Sequence, residues 1–408
     1  MVSIKPFSAL HPKSSNAKEI ACFPYDVAGE TEARAFISDN PNSFLRVTRP
    51  ETEFVHSVDP SSDDALESAK RNLQGLIESG LLVEDNEPSV YVYRLATETH
   101  SQTGVVACCS LAEYESGVIK KHERTRPDKV ADRTAHMTAL RAQTGLILLA
   151  FQRTTGIAAA INDATATAPL FEFVCGGNIT HTVWRAGDSQ PFIDAFSGVD
   201  SLYIADGHHR IEAALNARDI LRQQNGAELG NAKYDYVLAG MFPAEELRIL
   251  PYNRVVKDLA GLSAEALFEK LTEYFVVSDA ADGIPADPGF LKMYLGGNWH
   301  QLKFNVSYFT APDPIERLDV TILQRCILAP VFGISDPRTD ERIAFVGGAR
   351  GTSELERLVD SGEAAVAFSL HATSMDDLFS VSDMGEIMPP KSTWFEPKLK
   401  DGLFVYQI

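Results

Sequence analysis

Apolar residues recur at three- and four-residue intervals from about Asp63 to Gly80. Leu66, Ala69, Leu73, Leu76 and Ile77 share one face, and the spacing predicts a helix that Gly80 ends. Ser89 to Leu95 alternates and is rich in Tyr and Val, so it reads as a strand, with Gly104 to Leu111 as its hairpin partner. Residues 131–143 read as a helix, and Leu146 to Phe151 as a buried strand. Gly176-Gly177 marks a hairpin turn between two further strands. A strand at Leu202 to Ala205, a tight turn at Asp206-Gly207 and a helix from His208 to about Gln224 come next. Ile211, Ala214, Leu215 and Ile220 give that helix its apolar face. Tyr236 to Phe242 is another apolar strand.

The texture changes after Lys257. Residues 262–275 carry a helix pattern, and a hairpin turns at Gly296-Gly297-Asn298. The remainder alternates: helix Leu318 to Ala329, strand Ile343 to Val346, helix Thr352 to Ser361, strand Ala364 to Leu370, helix Ser374 to Gly385. This alternation predicts an α/β or α+β second domain. The chain is expected to divide into residues 1–257 and 258–408, in keeping with about 150 residues per domain for 408 residues.

Composition is that of a globular chain, 45% hydrophobic and 23% charged. The formal charge of −19 argues against a general polyanion binder, because nucleic-acid binding relies on Lys and Arg neutralising phosphates. DNA is therefore not expected as a partner. The start MVSIKPFSALHPKSS lacks a long apolar stretch, and no segment approaches the ~18 apolar residues of a membrane span. The five cysteines form no CxxC pair, and the GVVACCSL run reads as a strand with buried free thiols. These features predict a cytoplasmic, reducing location and no membrane partner.

No Walker A loop, G-x-G-x-x-G, G-x-S-x-G or HExxH is present. The first positive signal is Asp206-Gly207-His208-His209-Arg210 between a strand and a helix. A helix start exposes unpaired N–H groups and partial positive charge. Two imidazoles and a guanidinium placed there build a site for a phosphate or another anion, and Gly207 permits close backbone approach. Asp206 could cap the helix, orient a histidine or hold Mg²⁺. The bland alternative is a capping Asp with solvent-facing histidines. The second signal is a basic island. Residues 120–141 hold seven Lys and Arg (Lys120, Lys121, Arg124, Arg126, Lys129, Arg133, Arg141) against three acids, a local +4 in a −19 chain. It reads either as a solvated loop or as a phosphate-binding loop with Glu123 or His122 as general base. A metal site of His122, Glu123, Asp206 and His208 is chemically possible. The third signal is the tail MPPKSTWFEPKLKDGLF. Lys391 could reach a phosphate there, or the segment could be a rigid strap anchored by Trp394 and Phe395. His11, His56, His100, His181, His300 and His371 have no assignable partner.

PYDV at 24–27, NPNSFLRVTRPE at 40–51, GVIKKHERTRPDK at 117–129, ADGHHR at 205–210, LPYNRVVK at 250–257 and MPPKSTWFEPK at 388–398 together resemble the family known as domain of unknown function 1015. That family carries no secure activity to transfer. ESGLL closing a helix, a strand, and later strand–DGHHR–helix are similar to the ParB/sulfiredoxin-like superfamily, which includes a free serine kinase using ADP or ATP. The resemblance implies an α+β chain: a ParB/sulfiredoxin-like N-terminal mixed α/β domain with an additional α/β C-terminal domain. It implies phosphate roles for Asp206, Gly207, His208, His209 and Arg210. Sulfiredoxin's reactive cysteine has no counterpart in this turn, and a ParB helix-turn-helix is not evident.

The expected function is a nucleotide-dependent phosphotransferase acting on a small hydroxyl-bearing, serine-like metabolite. Catalysis would fall to Glu123, His122, Asp206 and His208. The nucleotide, ATP or ADP or alternatively CTP, would sit on Gly207, His208, His209, Arg210, Lys121, Arg124, Arg126 and Lys391, with Mg²⁺ on Asp206. The alternatives are a ParB-like nucleotide-binding regulator without turnover, and a phosphometabolite hydrolase or binding protein.

Overall fold

A computed structural model describes residues 1–225, 232–305 and 313–408. The chain forms two compact units. One comprises Met1–Lys121, Thr125–Leu247 and Pro397–Ile408, and the other His122–Arg124 and Arg248–Glu396. In chain order the second unit is an insertion, because the last residues rejoin the first.

The first unit is built on a nine-stranded mixed sheet. Its order is Ile119–Lys120, Leu202–Asp206, Ile147–Phe151, Tyr236–Pro243, Ser101–Ser110, Tyr91–Ala96, Ile179–Arg185 and Phe171–Cys175, with Ile4–Lys5 also on Ser101–Ser110. The expected hairpin of Tyr91–Ala96 with Ser101–Ser110 is present, and Gly176, Gly177 and Asn178 turn the other with positive φ. Leu202–Asp206 runs parallel to Ile119–Lys120 and antiparallel to Ile147–Phe151, with a register shift between Ile204 and Asp206. The shift re-aims the strand end at the turn that follows.

Helix Asp63–Glu78 matches its pattern. The Ser62 hydroxyl accepts from the Ala65 N–H, and Ala65, Ala69, Leu73 and Leu76 are buried. The helix expected over 131–143 instead spans Pro127–Leu140. Pro127 fits its first turn, where a missing N–H costs nothing, and Arg141 ends it in the left-handed region at φ 51°. Ala142–Gln143 then pairs with Tyr406–Gln407. Helix His208–Asn225 packs against Pro127–Leu140, and Ile211, Ala214, Ala217 and Leu221 are buried.

The second unit carries a six-stranded sheet in the order Phe275–Asp279, Asn298–Phe304, Phe290–Leu295, Val366–Ser369, Tyr252–Val256, Ile343–Gly347. Every pairing in it is antiparallel. The alternating pattern therefore gives α+β here, not a parallel α/β layer. Helix Gly351–Asp360 does connect two strands, Ile343–Gly347 and Val366–Ser369, but Tyr252–Val256 lies between them. The helix expected over 262–275 is Ala264–Leu271, because Phe275 joins an edge strand. Leu318 to Ala329 divides into an α-turn, Asp319–Leu323, and a π-helical segment, Gln324–Leu328. Trp394–Glu396 pairs with Arg248–Leu250, and Phe395 is buried. No helix among the described residues is long and apolar enough to cross a membrane.

Candidate functional site

The strand Leu202–Asp206 delivers Asp206 to the rim of the first unit's sheet, and Gly207 turns the chain into the helix. Gly207 sits at φ 99°, a backbone state that L side chains rarely adopt. A Cβ there would lie 3.0 Å from Ile147 Cγ2 and 3.1 Å from Arg210 Nε, so side-chain space is closed as well. The Gly207 carbonyl accepts from the Arg210 and Ile211 N–H groups at 2.9 and 3.1 Å, which starts the helix. His208 is buried and His209 half-buried. The Arg126 N–H donates to His209 Nε2 at 3.0 Å, so this imidazole ties the start of helix Pro127–Leu140 to the turn.

Charge is concentrated on Asp206. Its Oδ2 accepts from Lys398 Nζ at 2.9 Å, and its Oδ1 lies 3.9 Å from Arg210 Nη2. Burial alone would raise the Asp206 pKa. Lys398 and Arg210 outweigh burial and hold the carboxyl well below its usual range. Arg210 also donates to the Leu146 carbonyl. Burial works against its charge, but Asp206, Asp401 and Asp26 more than compensate and raise its pKa.

Asp401 is the second acid beside Arg210. A Cβ on Gly145 would come 2.7 Å from Asp401 Oδ1 and 3.2 Å from Arg210 Nη1, so both side chains occupy the space a larger residue would need. Burial pushes the Asp401 pKa up to about 7, against the pull of Arg210. Further along, the Arg133 guanidinium lies 4.2 Å over the Tyr25 ring, pairs with Asp132 at 3.0 Å and donates to the Thr48 carbonyl. His136 bonds the Val47 carbonyl at 2.7 Å, and burial lowers its pKa to about 3. Tyr25, Arg133, His136, Gly145, Arg210 and Asp401 help line a cavity of about 30 Å³. That is room for a water or a small ion, not for a nucleotide.

The sequence-predicted residues fall in both units. Lys121, Arg126, Asp206, Gly207, His208, His209 and Arg210 belong to the first; His122, Glu123, Arg124 and Lys391 belong to the second. In the first, Lys121 pairs with Glu212 at 3.2 Å, and Arg126 pairs with Asp128 at 2.8 Å while staying exposed. In the second, His122 is buried with Nε2 3.3 Å from the Thr393 hydroxyl, and its carbonyl accepts from the Met388 N–H. Glu123 is half-buried and Arg124 exposed. Lys391 is exposed at φ 57°, with Nζ 5.4 Å from the Tyr252 ring centroid. Among the described residues no group of three or more His, Cys, Asp or Glu side chains is placed to hold a metal ion. Asp206 instead faces two cations, and a divalent ion on its carboxylate would have to displace the Lys398 ammonium.

Lys398, Asp401 and Tyr25 were not legible as site residues. The only signal was position. PYDV and KLKDG lie in or beside the recognisable motifs, yet nothing local distinguishes Lys398 from Lys391. Of the unassigned histidines, His11 lies 3.6 Å from Asp85, and His181 bonds the Tyr93 hydroxyl at 2.7 Å in the core.

A family model described as "Protein of unknown function (DUF1015)" matches residues 4–321. A search of the curated proteins finds no match. Among solved structures, a free serine kinase in complex with AMP is similar at 13% identity and a TM-score of 0.34, covering 72% of this chain and 86% of that one. SbnI with a C-terminal truncation, from Staphylococcus aureus, is similar at 12% identity and a TM-score of 0.41, covering 74% and 87%. A conserved hypothetical protein from Pyrococcus furiosus is similar at 14% and 0.36, covering 74% and 95%.

Proposed function

The chain belongs to the family described as protein of unknown function (DUF1015), a description that assigns no activity, and we propose from the residues themselves that it is a nucleotide-dependent phosphotransferase. The observation that carries the reading is the turn at Gly207. It presents a helix start beside Arg210 and Lys398, two cations already oriented by Asp206. Phosphoryl transfer demands little covalent chemistry from a protein and much positioning of positive charge. The small cavity beside Asp401 does not fit a nucleotide, so the phosphates are assigned to the outer side of the His208–Arg210 turn.

In this reading Gly207, His208, His209 and Arg210 hold phosphate oxygens, with Lys121 and Arg126 of the same unit as further cations. A general base takes the proton of the acceptor hydroxyl as that oxygen attacks the terminal phosphorus, and the nucleotide leaves one phosphate shorter. The serine-like acceptor and the ParB/sulfiredoxin-like ancestry rest on the sequence resemblance of the 205–210 turn. ATP or ADP is preferred to CTP as donor on the same ground, and the location is taken as cytoplasmic. Mg²⁺ would arrive on the phosphates, since Asp206 faces the Lys398 ammonium and the Arg210 guanidinium. DNA is not expected to bind.

The test is thermal shift with ATP, ADP and CTP, each with Mg²⁺, followed by phosphate transfer to a panel of hydroxyl-bearing amino acids. Stabilisation with a phosphorylated product supports the reading. No stabilisation by any nucleotide overturns it. A second reading, a nucleotide-binding regulator without turnover, is favoured by one observation: Arg210 and Lys398 already face carboxylates. Stabilisation without product from any acceptor would select it.

A further inference from the structure

We propose that the second unit carries a binding cleft of its own, for a small carboxylate that also bears a hydrogen-bond donor. Arg317, Asp319, His371, Thr373 and Asp377 line a cavity of about 240 Å³, with Pro288 and Leu318 as an apolar wall. That is enough for a metabolite of a few heavy atoms.

The framework is fixed by buried hydrogen bonds. Asp319 is buried at the start of Asp319–Leu323. Its Oδ1 accepts from the Gly289 N–H at 2.7 Å and its Oδ2 from the His371 N–H at 3.2 Å, so one carboxylate joins three segments. Thr373 donates its hydroxyl to the Ser392 carbonyl at 2.9 Å. Ser374 and Asp377 form a capping box on helix Met375–Asp383, which uses Asp377 Oδ2. These bonds hold the walls without filling the cavity.

Three groups remain for a ligand. Arg317 is exposed and lines the cavity. His371 donates Nδ1–H to the Ala372 carbonyl at 3.0 Å, which leaves Nε2 as an acceptor in the neutral ring. Asp377 Oδ1 accepts no hydrogen bond from a described residue. A guanidinium calls for a carboxylate, and the imidazole nitrogen and carboxylate oxygen call for donors. A phosphate would meet the Asp319 and Asp377 carboxylates, so a monoanion with an adjacent ammonium or hydroxyl fits better. The cleft uses none of the residues assigned to nucleotide binding.

Isothermal titration of the full chain with L-alanine, L-lactate and propionate tests this, because the three differ only in the α substituent. L-alanine or L-lactate should bind at least tenfold more tightly than propionate, and inorganic phosphate should not bind. Arg317→Ala, a change at an exposed side chain, should weaken binding about tenfold. His371→Asn should weaken it several-fold, and His209→Ala should leave it unchanged. No binding by any of the three acids, equal binding of propionate, or an unaffected Arg317→Ala would overturn the proposal. ATP titrated into Arg317→Ala reports the nucleotide site separately, so failure of one reading is distinguishable from failure of the other.

Discussion

Arg210 in the first unit and Arg254 in the second are both withdrawn from solvent, yet their surroundings differ in kind. Arg210 faces Asp206 and Asp401, which keep its pKa raised against the cost of burial. Arg254 is buried, lies 5.2 Å from the Phe345 ring, and donates to the carbonyls of Tyr252, Pro390 and Lys391. Burial pushes its pKa down to about 9. One guanidinium is balanced by charge and the other by dipoles. The first arrangement suits a site that must exchange one anion for another. The second suits a clamp, here on the turn that presents Lys391.

Removal of Arg210 is the strongest way to break this comparison. Arg210→Met leaves Asp401 without its cation and Asp206 with Lys398 alone, and should cost about 3–5 kcal/mol in urea unfolding. Asp401→Asn probes the same network through pH. Between about pH 4 and 7 the folded Asp401 keeps a proton that the unfolded chain has lost, so its contribution falls as pH rises. Asp206 has the opposite sign, and its contribution is lost only as pH falls below the ordinary carboxylate range. His136 and His181, both depressed by burial to about 3, also favour the folded state as pH rises. The wild type therefore mixes signs, but the difference between Asp401→Asn and wild type isolates Asp401. The variant should gain about 2–3 kcal/mol relative to wild type from pH 5 to pH 8. A flat difference would remove Asp401 from the network.

Arg254→Met strands carbonyls, not charges, and should cost about 2 kcal/mol, less than Arg210→Met. The reverse order would contradict the contrast between the two arginines. Lys391→Gly should be the mildest. Glycine relieves the φ of 57°, while the contact with Tyr252 is lost, so stability should stay within about 0.5 kcal/mol of wild type.

Much of this is legible in the sequence. Residues 63–80, 89–111, 146–151 and 202–224 announced their elements because periodicity and turn residues agreed. The π-helical segment Gln324–Leu328 and the early start at Pro127 were not, since both depend on local hydrogen bonding and not on apolar spacing. At the turn, Asp206 to Arg210 stood out because two histidines and an arginine followed a glycine. Lys398 and Asp401 did not, because their meaning comes from residues 192 and 191 positions earlier. Gly402 shows why that tail is fixed. At φ 86° a Cβ would stand 2.6 Å from Phe44 Cβ, so the residue beside Asp401 admits no side chain.

The central claim is that the Gly207–Arg210 turn receives phosphate. Amide hydrogen exchange across 207–212, with and without ATP and Mg²⁺, tests it most directly, because a ligand held on this turn slows the local opening through which its amides exchange. The account predicts slowed exchange at these amides in the wild type and little change in His209→Ala. Nucleotide binding that leaves 207–212 unprotected, or protects only residues elsewhere in the chain, would contradict it.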